Sequence, residues 1–227
     1  MALVCDELKF IYFLAPGTGS SALYQYFIDN FNVKRVPDSD ENIVSEDTTT
    51  VIQSKHSTFE ELKKYNFLNS EQLNYLKITG TRNPYDYFYA EWYRSRTRFS
   101  KHLTDESSWI YNTPKGKQRI GEIVDSIILD FPEWLEKRLK AKYETKKKAM
   151  LHPQYVNHAD AFVGMENMNE DIHNILLDHC GVDKKIEVPR KNVTKRDRCY
   201  WQHYSFSARK MVETVFKPYI NKFDYSF

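Results

Sequence analysis

The feature that most narrows the fold is an apolar and aromatic run at residues 9–15 (KFIYFLA). It stops at Pro16-Gly17 and gives way at once to helical periodicity. A short run with no polar alternation is the pattern of a strand buried on both faces. Beyond the turn, Leu23, Tyr26, Phe27 and Phe31 recur on one helical face. The same succession appears twice more. Residues 76–81 (LKITGT) lead into Arg82-Asn83-Pro84, where proline suits the first turn of a long helix expected to reach about Arg96. Residues 159–165 (ADAFVGM) lead into Glu166-Asn167 and a helix that reaches Leu177 and ends near Gly181. Strands alternating with helices predict an α/β chain with a mostly parallel sheet.

Between these blocks, residues 36–50 are polar and acidic and read as a loop. Val51 and Ile52 fit a short strand ending near Lys55-His56. Ser57 is placed to cap a helix, with Glu60 in the reciprocal position. Residues 99–118, rich in Ser, Asp, Gly, Pro and Lys, read as a mobile loop or insertion. Helical patterns resume over residues 120–139 with an interruption at Pro132, and a last helix covers about residues 205–215. The basic block KAKYETKKK suits a solvated helix end, and residues 188–198 (VPRKNVTKRDR) form a basic loop. A length of 227 residues accommodates one domain, 1–227, with a full hydrophobic core.

The net charge of +2 gives no general attraction to nucleic acid, so any anion site must be local. Cys5, Cys180 and Cys199 are widely spaced and odd in number, and the seven histidines form no HxxxH or HExxH pair. Neither a disulfide framework nor a metal site is expected. No stretch approaches the ~20 apolar residues of a membrane span. The first residues carry acids where a secretory signal carries bases. A cytoplasmic protein without membrane or nucleic-acid partners is expected.

Two constellations carry chemistry. Residues 16–21 (PGTGSS) lie between a strand and a helix. There the backbone N–H groups of Gly17, Thr18 and Gly19, the hydroxyls of Ser20 and Ser21, and the helix N-terminus can cradle a phosphate. No GxxxxGK[ST] is present, which disfavours an ATP-type loop. Arg82, at the end of the second core strand, faces the edge where open α/β sheets bind ligands, and its planar guanidinium suits a phosphate. An ion pair with Asp86 or another carboxylate is the competing use of that arginine.

These two blocks, strand–PGTGSS–helix and strand–TRNPYD–helix, resemble the phosphate-binding signatures of sulfotransferases that use 3′-phosphoadenosine 5′-phosphosulfate (PAPS). Lys55-His56-Ser57-Thr58 resembles a short segment of the carbohydrate-type branch of that family. Residues 162–171 (FVGMENMNED) resemble its later strand–EN–helix block, and Asn192 with the basic loop and the Tyr-rich last helix fits its ending. The resemblance implies a P-loop-like three-layer sandwich, a central mostly parallel sheet flanked by helices. It implies PAPS as co-substrate, adenosine 3′,5′-bisphosphate (PAP) as product, no metal, and a saccharide or other small-molecule acceptor. Loops 36–50 and 95–118 would then form the acceptor pocket. Two positions depart from the family pattern. The loop residue after proline, usually Lys or sometimes Arg, is Gly17, and the usual Ser eight residues after the motif arginine is Ala90.

In that scheme the 16–21 loop and Arg82 hold the nucleotide, and Lys191, Lys195 and Arg196 can close over the 3′-phosphate. His56 is the candidate base, because its ordinary pKa lies near neutrality. Lys55 is the candidate for the cation that Gly17 does not supply. Glu166 either orients a neighbour or sits at a favourable helix N-terminus. Two other readings remain open: a nucleotide or small-molecule kinase with a degenerate phosphate loop, and a PAP-binding protein without turnover.

Overall fold

The architecture follows from two apolar strands whose alternate residues bury opposite faces. A computed structural model describes residues 1–39, 43–44, 51–52, 55–192 and 194–227. It divides into two compact units, Met1–Arg82 with His152–Val193, and Asn83–Leu151 with Thr194–Phe227.

In the first unit, β1 (Ala2–Cys5) and β2 (Phe10–Phe13) form an antiparallel hairpin in register Ala2↔Phe13 to Cys5↔Phe10. β3 (Lys34–Val36) pairs antiparallel with the outer side of β1. β6 (Leu76–Thr81) pairs parallel with β2, and β7 (Ala161–Gly164) pairs parallel with β6. The sheet order is β3-β1-β2-β6-β7, with β1 alone reversed. A separate antiparallel pair joins β4 (Ile43–Val44) to β5 (Val51–Ile52). Leu3, Cys5, Phe10, Tyr12 and Leu14 face α1 (Ser20–Asn30) and α8 (Met168–Cys180), where Leu23, Tyr26, Phe27, Ile172 and Leu176 complete one core. Ala2, Val4, Ile11, Phe13 and Ala15 face the other way and pack with Leu62 of α2 (Phe59–Lys64) and Tyr155 of α7 (Pro153–Val156). Burial on both faces is why the strands read as continuous apolar runs, and it gives this unit helix, sheet and helix in layers.

The second unit is helical: α3 (Pro84–Arg94), α4 (Trp109–Asn112), α5 (Pro114–Ile128), α6 (Phe131–Glu144), α9 (Phe206–Val215) and α10 (Lys217–Phe223). Its interior is aromatic. Phe131 meets Tyr89 and Tyr204 edge-on at 5.2 and 4.8 Å between ring centroids. Glu91, largely buried, is held by Arg119 at 2.5 Å.

Several expectations are corrected in detail. The strand expected over residues 9–15 forms as β2 over Phe10–Phe13, and a further strand precedes it. The chain turns through Asp6 to Lys9, with Lys9 at φ 53°, and so gains β1. The α2 cap is Thr58, not Ser57. Thr58 Oγ1 accepts from the Glu61 N–H at 3.3 Å while Glu61 receives the Thr58 N–H at 2.7 Å, and Ser57 is buried. The helix after Pro84 ends its α-turns at Arg94 and continues as a π-turn (Ser95–Phe99) and a 3₁₀ segment (Ser100–Thr104). Most of residues 99–118 is therefore helical rather than loop. Trp109 packs against Phe99 and His102, and Thr113 Oγ1 caps α5 by accepting from Gly116 N–H at 2.9 Å. Of the expected 36–50 loop, Val36 lies in β3 and Ile43 and Val44 in β4. Residues 40–42 and 45–50 lie outside the described residues.

Candidate functional site

The site grows from the end of β2. The chain turns sharply there, with Ala15 N–H donating to Phe13 O at 3.0 Å. Thr18 Oγ1 donates back to Ala15 O at 3.0 Å and closes the turn internally. Gly17 and Gly19 both adopt left-handed backbone, φ 75° and 76°. That region is open to glycine and costs other residues about 1–2 kcal/mol. Gly19 is the N-cap of α1, and its carbonyl accepts from Ala22 N–H at 2.9 Å. The first N–H groups of α1 have no acceptor within the helix, and no acid occupies its first turn. The positive end of the helix dipole therefore stands behind the 16–21 loop.

Two neighbours hold the loop in place. A methyl carbon added at Gly80 of β6 would lie 2.3 Å from Thr18 Oγ1 and 3.1 Å from Thr18 O, so the loop rests directly on the strand backbone. One added at Gly19 would lie 1.9 Å from Met168 Cε, at the start of α8. Arg82, 4 % exposed, donates through Nη1 to Gly17 O at 2.9 Å. The two sequence blocks thus touch: the arginine at the end of β6 braces the loop at the end of β2. The next strand is tied in through Met165 N–H, which donates to Thr81 O at 2.9 Å.

A turn at Lys55-His56 closes the other side. His56 Nδ1 lies 2.7 Å from Leu14 O. A carbonyl only accepts, so Nδ1 carries the proton, and in the neutral ring Nε2 is the basic nitrogen. The His56 carbonyl accepts from Tyr155 OH at 2.5 Å. Burial pushes the Tyr155 phenol well above its ordinary range, which keeps it a donor. Exposed Lys55 extends toward α1, its Nζ 3.5 Å from Ser21 Oγ.

The expected site residues of the first unit are therefore gathered at one sheet edge: Gly17, Thr18, Gly19, Ser20, Ser21, Lys55, His56 and Arg82. Thr18 is nearly fully buried and its hydroxyl is engaged with Ala15, which leaves the Thr18 backbone rather than the side chain to face a ligand. Glu166 is exposed after β7. Lys191 Nζ bonds Gln25 Oε1 of α1 at 2.6 Å. In the second unit, Arg196 pairs with Asp86 at 2.5 Å and lies over the Tyr89 ring, exposed Lys195 is anchored by its carbonyl to Tyr93 OH at 3.1 Å, and Ala90 is buried in α3. Sequence reasoning missed Gly80 and Tyr155. A glycine inside a strand signals close backbone approach, and that signal was present in LKITGT. Nothing local marks Tyr155 as the residue that holds His56. Among the described residues no cluster of His, Cys, Asp or Glu could hold a metal ion, and no helix is long and apolar enough to cross a membrane.

A strand–loop–helix junction braced by the arginine of the neighbouring parallel strand lies at the carboxyl ends of the parallel strands, where open α/β sheets bind their ligands. The sulfotransferase family model matches residues 1–226, across both units, and the chain belongs to the sulfotransferase family. No curated protein and no solved structure was found to match it. Sulfuryl transfer is accordingly its class of reaction.

Proposed function

We propose that the chain transfers a sulfuryl group from PAPS to a hydroxyl of a saccharide or other small molecule, with the whole chain acting as one catalytic domain. The observation that carries this reading is the His56 arrangement. The ring is fixed by its Nδ1 proton on Leu14 O, at the end of the strand that feeds the anion loop. The residue proposed as base and the loop proposed to hold the anion therefore meet at the same strand end.

In this reading the loop N–H groups and Ser20 and Ser21 hold the 5′-phosphosulfate. Arg82 keeps the loop in shape by its bond to the Gly17 carbonyl, and is proposed to contact the nucleotide from there. His56 Nε2 accepts the proton of the acceptor hydroxyl as its oxygen attacks sulfur. The protein's work is positioning and charge stabilisation, as in phosphoryl transfer. Lys195 and Arg196 are proposed to add cationic contacts to the nucleotide. A soluble cytoplasmic enzyme is part of the same proposal.

The test compares PAP, ATP and buffer by thermal shift, followed by PAPS turnover over a panel of saccharides and phenols. A PAP-selective rise with transfer to a saccharide is the expected result, since a ligand selective for the folded state raises its stability. A rise with ATP and none with PAP would overturn the proposal in favour of a kinase. A PAP-selective rise without transfer to any acceptor would reduce it to nucleotide binding.

A further inference from the structure

We propose that Lys55 supplies, from outside the anion loop, the cation that stabilises the leaving 5′-phosphate, with Ser21 as its docking hydroxyl. The inference deepens the sulfotransferase reading and rests on it. During transfer, a bond forms between the acceptor oxygen and sulfur, and the bond between sulfur and the bridging 5′-phosphate oxygen breaks. The acceptor proton goes to the base. The electron pair of the broken bond stays on the phosphate oxygen, which leaves as PAP with added negative charge. A preorganised cation at that oxygen lowers the barrier.

Residues 16–21 contain no basic side chain. Position 17 is poorly suited to one, because its φ of 75° lies in the left-handed region. Arg82 is nearly fully buried and directs Nη1 at the Gly17 carbonyl, so it serves the loop backbone from below. Lys55 is different in each respect. It is exposed, its Nζ lies 3.5 Å from Ser21 Oγ in the first turn of α1, and an ammonium has three donors, so one can rest on Ser21 while others reach a phosphate.

Its neighbour fixes its origin. His56 is held through Nδ1 by Leu14 O at 2.7 Å and through its carbonyl by Tyr155 OH at 2.5 Å. In an extended strand, adjacent side chains would point to opposite faces. Here residues 55 and 56 form a turn, and both side chains reach the same strand–loop–helix junction. One turn thus brings a base and a cation to the two ends of the bond rearrangement.

The experiment needs no acceptor. Calorimetry measures binding of PAP and of adenosine 3′-monophosphate, which lacks the 5′-phosphate, to wild type, Lys55→Ala and Lys55→Arg. For a charge-assisted contact, Lys55→Ala is expected to weaken PAP by about tenfold, to leave the monophosphate unchanged, and to be restored in large part by Lys55→Arg. An unchanged ratio of the two affinities in Lys55→Ala would overturn the role of Lys55 while leaving the sulfotransferase reading intact. Wild type that does not prefer PAP to the monophosphate would overturn the reading itself and this inference with it. Lys55 is exposed, so loss of folding does not confound the alanine variant.

Discussion

Gly80→Ala is the sharpest probe of how the loop of residues 16–21 is held. The added methyl would sit 2.3 Å from Thr18 Oγ1, 2.9 Å from Thr18 Cβ and 3.1 Å from Thr18 O. Thr18 cannot turn away at no cost, because it is nearly fully buried and its hydroxyl is bonded to Ala15 O. Overpacking of this kind costs roughly 1–3 kcal/mol, and the lost hydrogen bond adds about 1 kcal/mol. Reduced unfolded-state entropy returns about 0.4–1 kcal/mol. The net is about 2 kcal/mol, which for a chain of this size lowers Tm by roughly 4–8 °C. Gly121→Ala is the control: a methyl there meets nothing within 4 Å, and the residue is exposed on α5. Helix propensity should stabilise that variant by about 0.5–1 kcal/mol. The assay is thermal unfolding by circular dichroism with and without PAP. Gly80→Ala should melt lower and lose most of its PAP-induced shift, whereas Gly121→Ala should melt at or above wild type and keep the shift. A Gly80→Ala protein with wild-type Tm would refute the close packing of loop on strand.

Arg82→Ala should weaken PAP binding by about a hundredfold, roughly 2–3 kcal/mol for a charge-assisted contact; unchanged affinity by calorimetry in a folded variant would remove Arg82 from the site. His56→Ala should lower turnover by ~10²–10⁴ while leaving PAP affinity near wild type, and equal turnover at matched pH would exclude it as the base. Burial pushes the Asp171 carboxyl above its ordinary range, although the Gly164 N–H bond at 2.6 Å opposes this. A raised folded pKa contributes stability that is fully present below about pH 4 and is lost as pH rises through the folded value. Asp171→Asn should therefore gain in Tm on wild type between pH 4 and pH 7, and a constant difference across that range would contradict the shift.

The central strand was legible because burial on both faces leaves an unbroken apolar signature, as in residues 10–15 (FIYFLA). Residues 16–21 and the helix stop at Gly181 were legible because glycine in left-handed backbone leaves a compositional mark, and Gly181 does sit at φ 65° as the C-cap of α8. The hairpin turn at Lys9 left no such mark, since lysine there adopts positive φ without a glycine to announce it. The helical nature of residues 99–118 was hidden because it depends on Trp109 meeting Phe99 and His102 rather than on local propensity. The site's internal bonds were the least readable. Arg82 to Gly17, His56 to Leu14 and Tyr155 to His56 join residues far apart in the chain. Their partners are backbone carbonyls, which carry no residue identity to read.

The strand order also sets a sequence of events as the chain folds. β1 and β2 close over the short turn at Asp6 to Lys9. β6 must be brought to β2 from Leu76, and β7 to β6 from Ala161. Closing longer loops costs more entropy before any pairing repays it, so the hairpin forms early and the parallel strands dock later. Gly80 and Arg82 arrive with β6, and Met165, with Met168 just beyond it, arrives with β7. The loop at the end of β2 is therefore present in the nascent hairpin but without its floor, brace or flank. If the loop holds an anion as proposed, that capacity belongs to the completed sheet, so ligand binding would mark the end of folding rather than its beginning.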